Sequence, residues 1–290
     1  MKIINFGSLN IDRVYQVERL VRPGETITSR HYQEFAGGKG LNQSIALARG
    51  GVEVSHAGKI GTDGSFLVEF LAESGVDVSL VFTGHGQTGH AIIQVDVNGE
   101  NSIVLFAGEN RTLTIEEVGS VIDRAEIGDY LLLQNEINFI EEIIKLGSAK
   151  GLNIVFNPAP ITPDVLTLPL DQIKWLIVNE VEGKAIAGKS EPSQIMDEIV
   201  ERYPTLSLVL TLGGRGVHYG DSQSRYFVPA EEVEPIDTTA AGDTFIGYFI
   251  AEIVRGSPVV ESLITANKAA SLCVTRPGAA DSIPRLSELR

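Results

Sequence analysis

Along the chain, short apolar runs alternate with stretches that repeat every three to four residues. Lys2 to Gly7 (KIINFG) reads as the first strand. LNQSIALARGG then places Leu41, Ile45 and Ala48 at helical spacing and stops at Gly50-Gly51. Strand VSHAGKI, helix SFLVEFLAESG and strand VDVSLVF continue the alternation. Tyr130–Gln134, Leu152–Asn157, Ile173–Asn179 and Leu206–Gly213 are further apolar strand segments, and GYFIAEIV and SLITANKAASLCV are the closing helices. Short apolar strands separated by helices predict an α/β fold, with a mostly parallel sheet covered on both faces.

Two regions depart from this rhythm. His90 to Phe106 alternates apolar and polar positions around Asn98-Gly99, a strong hairpin signal. Val14–Val17 and Thr26–Phe35 also read as extended, with Pro23-Gly24 as a turn between them. These insertions predict a small antiparallel sheet, drawn from about residues 10–18, 25–36 and 87–107 and standing off the main body as a lid. No repeat, low-complexity tract or proline-rich linker marks a boundary, so residues 1–290 are expected to form one domain.

Composition narrows the partners. Lys and Arg number 23 against 38 Asp and Glu, and a net charge of −15 argues against nucleic acid and anionic membrane surfaces, which need clustered positive charge. No uncharged stretch approaches the ~20 apolar residues of a membrane span, and the N-terminal apolar run is too short for a secretory signal. Cys273, the only cysteine, excludes an intrachain disulfide and fits a reducing cytoplasm. The five histidines, including His31, His56 and His85, lack metal-ligand spacing and read as packing or surface residues.

Three glycine-rich runs compete for a nucleotide. Gly183 to Ser190, GKAIAGKS, has the spelling of a P-loop, but its Ala-Ile-Ala interior favours helix, with Val181, Ala185 and Ile186 as the apolar face. Gly188 then suits a helix C-cap, and Ser190 with Pro192 suits the start of the next helix. Gly84 to Gly89, GHGQTG, matches a dinucleotide fingerprint but runs into a strand where that fingerprint requires a helix. Asp237 to Phe245, DTTAAGDTF, leads directly into an apolar helix. There, small residues and the free N–H groups of a helix N-terminus provide an anion site, with Asp243 in the first turn.

Further polar groups collect at predicted strand ends. AGGKGLNQ enters a helix with Lys39 and Asn42 as donors, and GSLNID places Asn10 and Asp12 at the end of the first strand. Asn135-Glu136, Asn179-Glu180 with Glu182, and Gly213-Gly214 end three others, at the sheet edge where open α/β folds bind ligands.

These residues resemble the ribokinase family, the PfkB-type carbohydrate kinases. The early signature is Gly37-Gly38-Lys39-Gly40-Leu41-Asn42 and the late one Asp237 to Asp243, with Asn179-x-x-Glu182 and the TLGxRG of Thr211 to Gly216 between them. The resemblance extends from GSLNID to VTRPGA and implies a three-layer α/β/α kinase whose β lid often forms a dimer interface. It implies that Asp243 is the base for the attacking hydroxyl and that Ala240, Ala241 and Gly242 form the anion hole. Asn10, Asp12, Gly38, Lys39, Asn42 and Glu136 match sugar positions, whereas Asn179, Thr211, Gly213 and Asn267 match nucleotide positions. Glu182 matches a magnesium–phosphate position. Asp237, Thr239, Cys273, Arg276, Gly278 and Ser282 match the potassium loop of cation-activated members, where several ligands are backbone carbonyls. ATP, Mg²⁺ and K⁺ are the implied cofactors.

Two carboxylates, Asp12 and Glu136, suit a neutral polyol and repel a phosphorylated sugar. FAGEN (Phe106 to Asn110), Ile11 and Leu41 depart from the usual ribokinase pattern and bear on which sugar is taken. Ribose or a similar small sugar is the leading expectation. A nucleoside kinase and a sugar-binding regulator without catalysis are the alternatives.

Overall fold

The computed structural model describes residues 1–289, and every element and contact below belongs to them. In chain order the strands and helices are β1 (Ile3–Phe6), β2 (Asn10–Gln16), β3 (His31–Gly37), α1 (Lys39–Arg49), β4 (Val54–Ile60), α2 (Ser65–Glu73), β5 (Asp77–Thr83), β6 (Gly89–Val95) and β7 (Asn101–Phe106). They continue as α3 (Ile115–Arg124), β8 (Tyr130–Gln134), α4 (Ile140–Ala149), β9 (Asn153–Asn157), β10 (Trp175–Asn179), α5 (Glu180–Ala187), α6 (Pro192–Arg202) and β11 (Ser207–Thr211). The last are β12 (Val217–Gly220), β13 (Arg225–Val228), α7 (Ala241–Arg255) and α8 (Val259–Val274).

The apolar runs form a nine-stranded sheet in the order β13-β12-β11-β10-β9-β8-β1-β4-β5. Strands β5, β4, β1, β8, β9, β10 and β11 are parallel; β12 and β13 add an antiparallel end that the sequence pattern does not predict. Successive residues of each strand enter opposite cores, the two-residue period of a strand. Ile3, Leu132, Ile177 and Val209 pack with α1, α2, α7 and α8, whereas Ile4, Leu131, Leu176 and Leu208 pack with α3 to α6. The architecture is the expected three-layer α/β/α with a second, smaller sheet.

The smaller sheet has the order β3-β2-β6-β7. It is not wholly antiparallel as expected, because β2 pairs with β6 in parallel. The strand expected over Thr26–Phe35 starts only at His31 and ends at Gly37. Asn10 and Asp12 do not end the first strand as expected, because β1 stops at Phe6; both lie on β2 of the smaller sheet, within the 10–18 segment expected to form it. The hairpin forms, with β6 and β7 joined through Asp96–Glu100.

GKAIAGKS is the end of α5 and the turn after it, with Gly188 in the left-handed conformation that closes a helix. The expected apolar face of α5 is wrong in detail. Val181 and Ala185 are exposed, and Glu182, Gly183, Ile186 and Ala187 are the buried residues. GHGQTG is a turn into β6, as its context indicates.

Helices α1 and α7 cross without room for a side chain. A Cβ on Gly247 would overlap that of Ala46 and meet the Ala46 carbonyl carbon and Leu47 nitrogen at 2.9 Å. Replacing Gly247 by Val should therefore destabilise the protein by about 1–3 kcal/mol through overpacking. A thermal unfolding midpoint equal to wild type would contradict that crossing.

Candidate active site

The same crossing assembles the site one helical turn nearer the helix N-termini. Asn42 and Gln43 on α1 and Asp243 on α7 face each other there, and Asp243 is only 8% exposed. Asn42 Nδ2 donates to Asp243 Oδ2 at 3.0 Å and Gln43 Nε2 to Oδ1 at 2.9 Å. A carboxylate offers about four lone-pair positions, so each oxygen keeps acceptor capacity beyond these two bonds.

Asp243 lies on the wall of a cleft of about 260 Å³, with Lys39, Asn179, Glu182, Thr211 and Ala240–Gly242 also on its lining. Ala240, just before α7, is held at φ 60°, a conformation unfavourable for a residue with a side chain. That turn leads into a helix start where the N–H groups of Gly242 and Asp243 have no protein partner among the described residues. A Cβ on Gly242 would meet nothing within 4 Å, so the backbone here stands open to the cleft. Helix N-termini attract anions through these N–H groups and the helix dipole.

On the facing wall, Asn179 and Glu182 cap α5 reciprocally. Asn179 N and Nδ2 donate to Glu182 at 2.9 and 3.0 Å, and Glu182 N donates to Asn179 Oδ1 at 3.0 Å. Glu182 is 5% exposed, and burial raises its pKa. Lys39 is the cation of the cleft; Asp243 first, then Glu136 and Glu182, raise its pKa against the opposing effect of burial.

Ser8 Oγ donates to Glu136 Oε2, which also accepts from the Lys39 backbone N–H at 3.1 Å. Burial is the main force raising the pKa of Glu136. Asp12 is pushed up to about 7 by burial, with the neighbouring Glu136 charge adding to it. Asn10 is fixed by Asn110, whose Nδ2 donates to Asn10 Oδ1 at 2.8 Å. Gly38 caps the start of α1 at φ 98°.

Other residues singled out in the sequence lie apart. Asn267 donates to the carbonyls of Val228 and Pro229, and Gly213 opens a 3-10 turn after β11. Asp237 accepts from Thr239 N and Oγ1 and from Gly278 N, joining the segment before α7 to the segment after α8. Ser282 Oγ and Cys273 Sγ are 3.0 Å apart in the interior, and the Arg276 side chain turns away to Glu288. Glu109 is buried and accepts from Gly86 N at 2.6 Å and Thr112 Oγ1, while Phe106, at the end of β7, packs against His90 with the rings tilted by 41°.

Sequence reasoning omitted Ser8, Gln43, Gln134 and Asn157, whose burial no periodicity reveals. A larger hollow of about 400 Å³ lies on the lid, between Tyr15, Ile92 and the 21–29 segment. Its lining brings no facing set of acids, bases and donors, so the smaller cleft is the candidate active site.

The model of the pfkB family carbohydrate kinases matches residues 1–286. The ribokinase of Staphylococcus aureus (strain COL) is 35% identical, over 99% of this chain and 98% of the relative. Among solved structures, the ribokinase of Cryptococcus neoformans var. grubii in complex with ADP is 33% identical, with a TM-score of 0.87 over 99% of this chain and 97% of the other. The Arabidopsis thaliana ribokinase complexed with ribose and ATP is 29% identical, with a TM-score of 0.88 over 99% and 96%. A cleft built on the two signatures, and relatives matched along almost their whole length, have one meaning: the chain belongs to the pfkB family of carbohydrate kinases.

Proposed function

We propose that this protein transfers the γ-phosphoryl group of ATP to the primary hydroxyl of ribose. The observation that carries the reading is Asp243: a carboxylate held by two amide donors at the open N-terminus of α7, on the wall of the cleft. Asp243 takes the proton of the sugar hydroxyl as its oxygen attacks phosphorus, while the N–H groups of Ala240–Gly242 and Asp243 stabilise the negative charge on the transferring group. Lys39 adds positive charge at the same point.

Asn10, Asp12, Gly38, Asn42 and Glu136 hold the sugar, and Asn179, Thr211 and Gly213 border the nucleotide. Asn267 acts behind them by fixing the 228–229 carbonyls. No group of three or more metal-binding side chains occurs among the described residues. This fits Mg²⁺, which binds substrate phosphates, waters and one or two carboxylates, here Glu182, and which would neutralise phosphate charge when bound. The loop of Asp237, Thr239, Arg276, Gly278 and Ser282, with Cys273 packed behind it, is the proposed K⁺ site, working through backbone carbonyls. Residues 1–290 act as one domain. The lone buried cysteine fits a cytoplasmic enzyme.

The protein pairs through its lid. All six residues of β7 are exposed, and Ile103, Val104, Leu105 and Phe106 form an unpaired apolar edge. Such an edge is an aggregation hazard unless it is covered. Sedimentation should give a dimer, and Leu105→Glu should give a monomer; a wild-type monomer rejects the pairing.

ADP release should be fastest with ribose when compared with deoxyribose, fructose and adenosine. Asp243→Asn should reduce that turnover by about 10²- to 10⁴-fold, the usual contribution of a general base, and leave nucleotide binding intact. Turnover near wild type would remove Asp243 from the chemistry.

Asp12 gives a pH signature. Its charged form accepts from sugar hydroxyls, and its pKa of about 7 means that acid removes that form. The KM for ribose should therefore rise as pH falls below 7, by about tenfold per unit at most, and Asp12→Asn should abolish the dependence. A KM independent of pH between 5.5 and 8.5 in the wild type would contradict this role.

A further inference from the structure

Gln43 is fully buried, and the kinase reading assigns it no role. It is the last member of a chain of amides whose sense is set at its far end. Asn5 Nδ2 donates to the Gly40 carbonyl at 2.7 Å and to Ser44 Oγ at 2.8 Å. A backbone carbonyl only accepts, so Asn5 Oδ1 faces the other way and receives Gln134 Nε2 at 2.9 Å. The same Nε2 donates to Gln43 Oε1 at 2.7 Å. Gln43 must then turn its own Nε2 to Asp243 Oδ1, at 2.9 Å.

A second anchor agrees. Asn157 Nδ2 donates to the Ile177 carbonyl at 3.0 Å, which leaves its Oδ1 facing Gln43 Nε2 at 3.4 Å. At the opposite end Ser44 Oγ lies 2.8 Å from His56 Nδ1. Burial keeps that imidazole neutral by pushing its pKa down to about 4. Asn5, Gln43, Ser44, His56 and Gln134 are closed to solvent. Water cannot replace a lost partner there, so a flipped amide would set donor against donor or acceptor against acceptor.

We infer that Gln43 is a positioning residue for the phosphoryl-transfer reaction, holding Asp243 Oδ1 in one orientation through an amide chain anchored on the Gly40 and Ile177 carbonyls. The inference rests on the reading of Asp243 as the base. Asn42 alone would fix one carboxylate oxygen and leave the plane free to turn about that bond. The second donor, itself locked, removes that rotation, so the acceptor lone pairs meet the cleft in one geometry.

The test is kinetic. Gln43→Met in the full chain should lower kcat by about 10- to 100-fold, the effect of a small misplacement of a catalytic group, with the KM values for ribose and ATP within about twofold of wild type. In an Asp243→Asn background the same replacement should have no further effect on kcat, because the group it orients is gone. Should Gln43→Met not fold, Gln134→Met removes the donor that sets the sense of Gln43 and should give the same pattern in weaker form. An unchanged kcat in the Gln43 variant, with Asp243→Asn inactive, overturns the positioning role and leaves the base intact. Equal losses in both backgrounds overturn it in favour of a purely structural role. An active Asp243→Asn overturns the reading beneath it.

Discussion

The contact between Ala46 of α1 and Gly247 of α7 fixes the spacing on which the cleft depends. Asn42 and Gln43 are separated from Asp243 by 201 and 200 residues of sequence, yet all three lie one turn away from that contact, on the same helix faces. Short side chains meet across the gap only because the backbones almost touch. A wider crossing would require longer side chains, which lose more rotamer freedom on ordering and hold a reacting group less firmly. The same backbone approach that leaves no volume for a methyl group thus makes room for chemistry one turn higher.

The charge distribution of the cleft follows from its position over parallel strand ends. Lys39 is surrounded by Asp243, Glu136 and Glu182. With the chain as a whole at −15, a phosphate finds no general attraction to this protein. Under the proposed function its welcome would be local, a helix N-terminus and one lysine, so recognition would depend on geometry more than on long-range field. Burial raises the pKa of Glu136 and of Glu182, and each is held by donors from the chain, Ser8 and Lys39 N–H for the first and Asn179 for the second.

Much of this was legible in the sequence because it follows from local periodicity. The apolar runs of the parallel strands are continuous because both faces are buried, and the entry to α7 is marked by small residues followed by a long apolar helix. GKAIAGKS is told apart from a phosphate loop by its helical interior, its C-cap glycine and the helix start at Ser190 and Pro192. Legibility failed where tertiary pairing decides. Nothing local says that β2 and β6 run parallel, or that β12 and β13 extend the sheet backwards. Val181 faces solvent on α5 although it is apolar, because Glu182 caps the helix and turns inward in its place. Gln43 and Gln134 look like ordinary polar residues until three-dimensional packing seals them from water.

Strand β2 belongs to the lid, yet it carries Asp12, whereas Glu136 follows β8 of the large sheet. The two carboxylates therefore stand on opposite sides of the joint between the sheets, close enough to influence each other's charge. A ligand gripped by both is a tether across that joint. Were the joint to open and shut, the apparent affinity for such a ligand would be the intrinsic affinity multiplied by the fraction of molecules in which the joint is shut, so grip and closure would form a single equilibrium.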